Sequence, residues 1–133
     1  MATATVEHAT PADGSFTAAG ANAWNGTGAH TVVIDPDISV NAQTGTSYTL
    51  LASDNGGMVT LSNAAAITLT VPTGLGKGFN CLIKQLGAGV VTVTASGTTL
   101  QSRGSLVATN GQYAVAALVA HQANTFSLSG DLA

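Results

Sequence analysis

Residues 66–72, AITLTVP, alternate aliphatic and hydroxyl side chains and then stop at a proline. A period of two admits a β-strand and excludes a helix, because successive side chains of a strand point to opposite faces. Ile67, Leu69 and Val71 therefore share one face, expected to lie in a core, and Thr68 and Thr70 share the other. Pro72 has no N–H to give to a ladder, so the strand is expected to end at Val71. The same grammar returns in VVTVTA at residues 90–95. Any fold for this chain must accommodate strands whose wet side is threonine.

The remaining segments follow suit. From His30 onward, short β-branched runs recur at the spacing of a sandwich or barrel, with strands expected at 31–34, 47–51, 57–61, 66–71, 80–85, 90–95, 105–109, 113–121 and 125–129. Asp54-Asn55-Gly56-Gly57, Asn110-Gly111 and Gly74, Gly76 and Gly78 supply residues that tolerate positive φ between them. In Val115-Ala116-Ala117-Leu118-Val119 neither face is polar, which predicts a strand covered on both sides, by a second sheet or by another subunit.

Residues 1 to about 30 are poor in large apolar side chains. The expected organisation is an N-terminal arm with the first strand over residues 1–44, and a compact all-β domain, barrel or sandwich, over residues 45–133. Met1 to about Ala12 would be ordered only when a partner or neighbouring subunit holds it. Phe16 and Trp24 are the aromatic exceptions and are candidate interface anchors, the alternative being core plugs. Asn25-Gly26-Thr27 matches a glycosylation acceptor but reads as an Asn-Gly turn.

Charge narrows the function. Only 7% of the 133 residues are charged, against about 25% in an ordinary soluble domain, and Ala, Gly, Ser and 19 Thr fill the gap. Such a surface has little electrostatic protection against association, so much of it is expected to be covered by something else. A net charge of −3 with three cations, Lys77, Lys84 and Arg103, leaves no basic cluster to neutralise nucleic-acid phosphates or anionic lipid. The longest apolar run, AVAALVA at 114–120, falls far short of the roughly 20 residues that span a bilayer. MATATVEHAT has neither the basic start nor the apolar centre of a signal peptide, so the chain is expected to work without Sec export. Cys81 is alone, cannot form an internal disulfide, and is expected to be a buried, inert thiol.

Little in the sequence points to catalysis. His8, His30 and His121 are scattered without zinc-ligand spacing. Serine, histidine and aspartate (Asp35 or Asp54) could be assembled on paper into a triad, but no G-x-S-x-G elbow positions a nucleophile. Asp35-Pro36-Asp37 lacks the further oxygen ligands of a calcium loop and reads as a turn, as do the surroundings of Asp54 and Asp131. Gly74 to Gly78 lacks Walker spacing. The expectation is no enzyme, no metal and no cofactor.

From Tyr48 to Leu132 the chain resembles a small β domain of tailed-bacteriophage virion proteins, found in tail-fibre tips and head-decoration proteins. The residues that carry the resemblance are Tyr48-Thr49-Leu50, Ser53-Asp54-Asn55-Gly56-Gly57, NAAAITLTVP at 63–72, QLGAGVVTV at 85–93, Gly111-Gln112-Tyr113-Ala114 and FSLSGDL at 126–132. Phe126 stands where the pattern leads one to expect tryptophan. The resemblance implies a homotrimer displayed on the outside of a virion, made in the host cytoplasm. A tail fibre would need an attachment domain and a shaft for which 133 residues leave no room. The expected function is thus a capsid decoration, or cement, protein that binds the major capsid protein of the mature head. The alternative is a tail-fibre or baseplate tip module that binds a host receptor.

Overall fold

The computed structural model describes residues 37–133 in full and, of residues 1–36, the backbone pairing of four strands. The chain forms two compact units, Met1–Asp37 and Ile38–Ala133. In the first, β1 (Ala2–Glu7) pairs antiparallel with β4 (Ala29–Ile34), and β2 (Phe16–Thr17) pairs antiparallel with β3 (Ala23–Trp24). The extended arm of the sequence expectation is therefore paired backbone over Ala2–Glu7. Its Ala-Thr-Ala-Thr-Val run alternates in the manner of a strand although it holds no large side chain.

The second unit is a β-solenoid, all-β as expected but neither barrel nor sandwich. Three coils contribute two strands each: β5 (Val40–Gln43) with β6 (Ser47–Thr49), β7 (Gly57–Leu61) with β8 (Ile67–Val71), and β9 (Asn80–Gln85) with β10 (Val91–Ala95). Within these coils no strand pairs with its neighbour in the chain. β5, β7 and β9 stack in parallel in one sheet, and β6, β8 and β10 stack in parallel in the other. Gly57 lies opposite Cys81 and Ile67 opposite Val91, the same separation of 24 positions in both sheets. Barrels and sandwiches of this strand spacing are built from hairpins, whereas here the turns carry the chain round a coil.

Direction then reverses. β12 (Val115–Gln122) runs antiparallel to β9, β13 (Thr125–Gly130) antiparallel to β12, and β11 (Thr99–Ser102) lies parallel to β13 at the edge of the six-stranded sheet. Residues 107–109 extend the three-stranded sheet in the same reversed sense, with Val93 N donating to Val107 O (2.8 Å) and Thr109 N to Val91 O (2.9 Å). The expected strand at 105–109 thus shrinks to this short bridge. Gly104 and Ser105 turn the chain at φ +69° and +59°, so residues 103–105 cannot be extended.

Between the sheets, Ile67, Leu69 and Val71 meet Val59, Leu61, Ile83, Leu118 and Phe126, all of them at most 1% exposed. Phe79 packs edge-on to Phe126 with ring centres 6.3 Å apart. Cys81 is buried, and burial, followed by the nearby Asp54 charge, pushes its thiol up to about 12. One corner of the solenoid is stacked backbone on backbone: a Cβ at Gly87 or Gly89 would collide with the main chain of Asn63 or Ala65 in the coil before. Only glycine allows that approach.

Candidate functional site

Two outer faces and two polar clusters are left once the core is assigned. On the outside of the six-stranded sheet, register places Val40, Met58, Leu82 and Ala117 in one row across β5, β7, β9 and β12. Val115 and Val119 flank that row on β12. Val40 is 60% exposed and Val119 44%; the other four are half-buried or nearly so. The opposite face of β12, with Ala116, Leu118 and Ala120, is core. The second sheet therefore covers one side of this doubly apolar strand, and the outer side remains an aliphatic surface.

At its border stands Tyr113, 63% exposed with φ +72°. Positive φ is costly for a bulky side chain and persists only where the surroundings impose it. Tyr113 N donates to Gln85 O at 2.7 Å, which fixes the main chain there. Lys84, the one Lys or Arg on these four strands, donates from Nζ to Tyr113 O at 3.3 Å and lies 5.9 Å from the ring centre. An aromatic ring beside a cation and next to an aliphatic row is the composition of an interface anchor.

The outside of the three-stranded sheet differs. Its register aligns Ser47, Thr68 and Thr92 in one column and Thr49, Thr70 and Thr94 in a second. Thr–Thr pairs across a ladder contribute modestly to pairing while their hydroxyls stay solvated.

The first polar cluster lies between the sheets in the first coil. Asp54, 4% exposed, accepts from Tyr48 OH (2.7 Å), Asn41 Nδ2 (2.9 Å) and Leu51 N (2.9 Å). Asn41 Nδ2 also donates to Tyr48 OH (2.8 Å), and Gln43 Nε2 donates to Asn41 Oδ1 (2.8 Å). Burial, with the Asp54 hydrogen bond and charge, pushes the Tyr48 hydroxyl up to about 12. Asp54 thus caps the turn at 52–54 through the Leu51 N–H, as the sequence suggests, and is also the joint of a buried network. In the second cluster Thr109 Oγ1 bonds Gln85 Oε1 and accepts from Val91 N (2.9 Å), while Gln85 Nε2 donates to Gly87 O (2.9 Å). Both networks are satisfied by protein partners and rigidify the fold.

Of the residues singled out in the sequence, Phe16 and Trp24 are register partners in β2 and β3, and their side chains lie outside the described residues. His8, Asp35, Pro36 and the Asn25-Gly26-Thr27 turn also lie outside them. His30 falls within β4, and no side chain is described there. His121 Nδ1 is 3.1 Å from Ser127 Oγ on an exposed face. Asp131 accepts from Asn110 Nδ2 at 3.0 Å. Among the described residues no group of three His, Cys, Asp or Glu is placed to hold a metal, and no helix is long and apolar enough to cross a membrane.

As interface residues Tyr113, Met58 and Leu82 are not singled out by the sequence, which places Tyr113 only in the Gly111–Ala114 motif and at the start of the strand expected at 113–121. The available signal was an aromatic residue among turn formers, Asn110-Gly111-Gln112-Tyr113, where no core position is due. Comparisons of the chain with protein-family models, with curated proteins and with solved structures return no match.

Proposed function

We propose that the chain is a virion structural protein that assembles as a homotrimer through the outer face of its six-stranded sheet and decorates the exterior of a mature bacteriophage capsid. The observation that carries self-association is the aliphatic row Val40, Met58, Leu82 and Ala117, flanked by Val115, Val119 and Tyr113. Exposed aliphatic surface gains about 25 cal/mol per Å² when covered. A surface with so few charges, Lys84 being the one cation on these strands, offers a sister chain little desolvation penalty to oppose that gain. Closed symmetry then brings the same patch of each subunit to a shared axis.

The virion assignment rests on the resemblance across Tyr48–Leu132. In this reading the protein binds the major capsid protein in the expanded lattice and not in its precursor. It then stabilises the mature shell by mass action, without chemistry.

The test is to add purified protein to heads that lack it. Binding, together with a rise in the melting temperature of the heads, is the expected result, with a three-chain mass in analytical ultracentrifugation. Protein that ignores the heads and binds host cells would replace this function with the receptor-binding tip. A single-chain mass at high concentration would remove the trimer.

A further inference from the structure

The triplets Ser47-Tyr48-Thr49, Thr68-Leu69-Thr70 and Thr92-Val93-Thr94 make the outside of the three-stranded sheet a net of hydroxyls. β6, β8 and β10 are parallel and in register, which sets Ser47, Thr68 and Thr92 in one row and Thr49, Thr70 and Thr94 in a second. Parallel strands repeat at about 4.8 Å across a sheet, and two residues along a strand advance about 6.6 Å. Ser47, Thr49, Thr68 and Thr94 are exposed, and Thr70 and Thr92 are half-buried. None of the six hydroxyls has a hydrogen-bond partner among the described residues. All of them are left to water, on a two-dimensional repeat.

The net is held from beneath and from one side. Tyr48, Leu69 and Val93, between the two rows, point inward and pack in or against the core, the last two at most 3% exposed. At the corner that leads into these strands the coils are tied to one another, Asn63 Nδ2 donating to Thr44 O (2.8 Å) and Gly89 N to Asn63 O (2.8 Å). Gly87 and Gly89 lock the same corner, since a Cβ at either would overlap the main chain of the coil before. The spacing of the rows is therefore built into the stack. No Asp, Glu, Lys or Arg stands on β6, β8 or β10, and beyond β10 the face continues with Ala108 opposite Thr92. A charge would hold water in a shell of its own geometry; this face carries none.

We propose that the hydroxyl net binds ice. Water bonded to a rigid net takes on the repeat of the net, and both repeats are close to those of the oxygen atoms along the two axes of hexagonal ice. The six hydroxyls anchor the first layer of the crystal, and the threonine methyls between them exclude water that is out of place. A single hydrogen bond gains little over its counterpart in liquid water. The affinity comes from several bonds formed at once by groups already fixed in position, so little freedom is lost on contact. Two rows of three suit an effect on the growth of small crystals. The site lies on the other outer face from the aliphatic row and depends neither on the trimer nor on a virion.

The test is slow growth of ice from a dilute solution of the intact protein, with its concentration read in the ice and in the remaining liquid. Enrichment in the ice is expected, together with slower coarsening of crystals in frozen sucrose solution. Thr68→Lys and Thr94→Lys, both at exposed positions of the net, should keep the urea midpoint of the parent and lose both effects. Gln101→Lys, on the outside of the other sheet, should retain both. Exclusion of the parent protein from the ice, enrichment of folded Thr68→Lys or Thr94→Lys equal to the parent's, or an equal loss in Gln101→Lys would overturn the site. Retention on crystalline cellulose in place of ice would also overturn it, assigning the net to a polysaccharide surface.

Discussion

The two outer faces of the solenoid share a backbone and a near-absence of charge, yet they answer water differently. On the three-stranded side every outward rung in register is serine or threonine. On the six-stranded side one outward rung holds Val40, Met58, Leu82 and Ala117 and ends on Ser129, and the next, Ala42, Thr60, Lys84 and Val115, mixes aliphatic with polar side chains. A threonine covers the pleat with its methyl and keeps its hydroxyl wet, so the first face is stable when bare. The second exposes hydrocarbon and is improved by cover. An uncharged surface is therefore not one property. Low charge removes the obstacle to association from both faces, but only one supplies a driving force.

The comparison can be broken most severely from inside. Ile67→Asp buries an unpaired carboxylate and is expected to cost more than about 4 kcal/mol and abolish folding. Thr68→Asp, one residue on and facing outward, should fold; circular dichroism and urea titration distinguish them. A normally folded Ile67→Asp variant would invert the assignment of faces.

Next in size is Leu82→Glu in the aliphatic row. It should reduce the sedimenting mass to one chain and cost association about 2 kcal/mol or more. Thr94→Glu on the other face should leave the mass unchanged. Asp54→Asn should lower stability by about 1–3 kcal/mol in urea melts by unbalancing a buried network, without affecting either outer face.

The alkaline limb gives a pH test. Tyr48 is raised from 10.0 to about 12 and Cys81 from 9.0 to about 12. Folding favours the neutral form of each, so their contribution is complete below pH 9 for Cys81 and below pH 10 for Tyr48, and is lost as pH rises toward 12. Tyr48→Phe and Cys81→Ala should each flatten the fall of the urea midpoint across those windows. Thr68→Val should be the smallest perturbation, within about 0.5 kcal/mol; a larger loss would mean that the hydroxyl columns bear on stability.

The facing of AITLTVP was legible because its period is short and both of its faces follow the usual rule, with Ile67, Leu69 and Val71 at most 1% exposed. The solenoid was not, although ITLTV at 67–71 and VTVTA at 91–95 sit one coil apart. A repeat is read from constant spacing, and here the spacing drifts. Val40 faces Met58 and Ser47 faces Thr68, 18 and 21 positions on, before both sheets settle at 24. β5 was missed for a different reason: its inward residues, Asn41 and Gln43, are polar because their partners belong to the Tyr48–Asp54 network. The aliphatic row is invisible in any one strand, since each contributes a single member. Tyr113 was passed over because it reads as the first residue of a strand at 113–121, whereas the strand starts at Val115 and Tyr113 stands in the turn before it at positive φ.

The corners of the coil are unequal in one further respect. Gly87 and Gly89 are pressed against the preceding turn, whereas Gly74, Gly76 and Gly78, between β8 and β9, have nothing within 4 Å of where a Cβ would stand. The first corner fixes the pitch of the stack; the second is tied down at its ends, by Gly74 N–H to Asn124 Oδ1 (3.2 Å), by Gly78 N–H to Ala120 O (2.7 Å) and by Leu75 against the core, and is open at its tip, Gly76-Lys77. A foreign epitope spliced between Gly76 and Lys77, beyond Leu75 and inside the two ties, should be carried outward as cargo while both ladders keep their register, which makes that tip the natural grafting point of the scaffold.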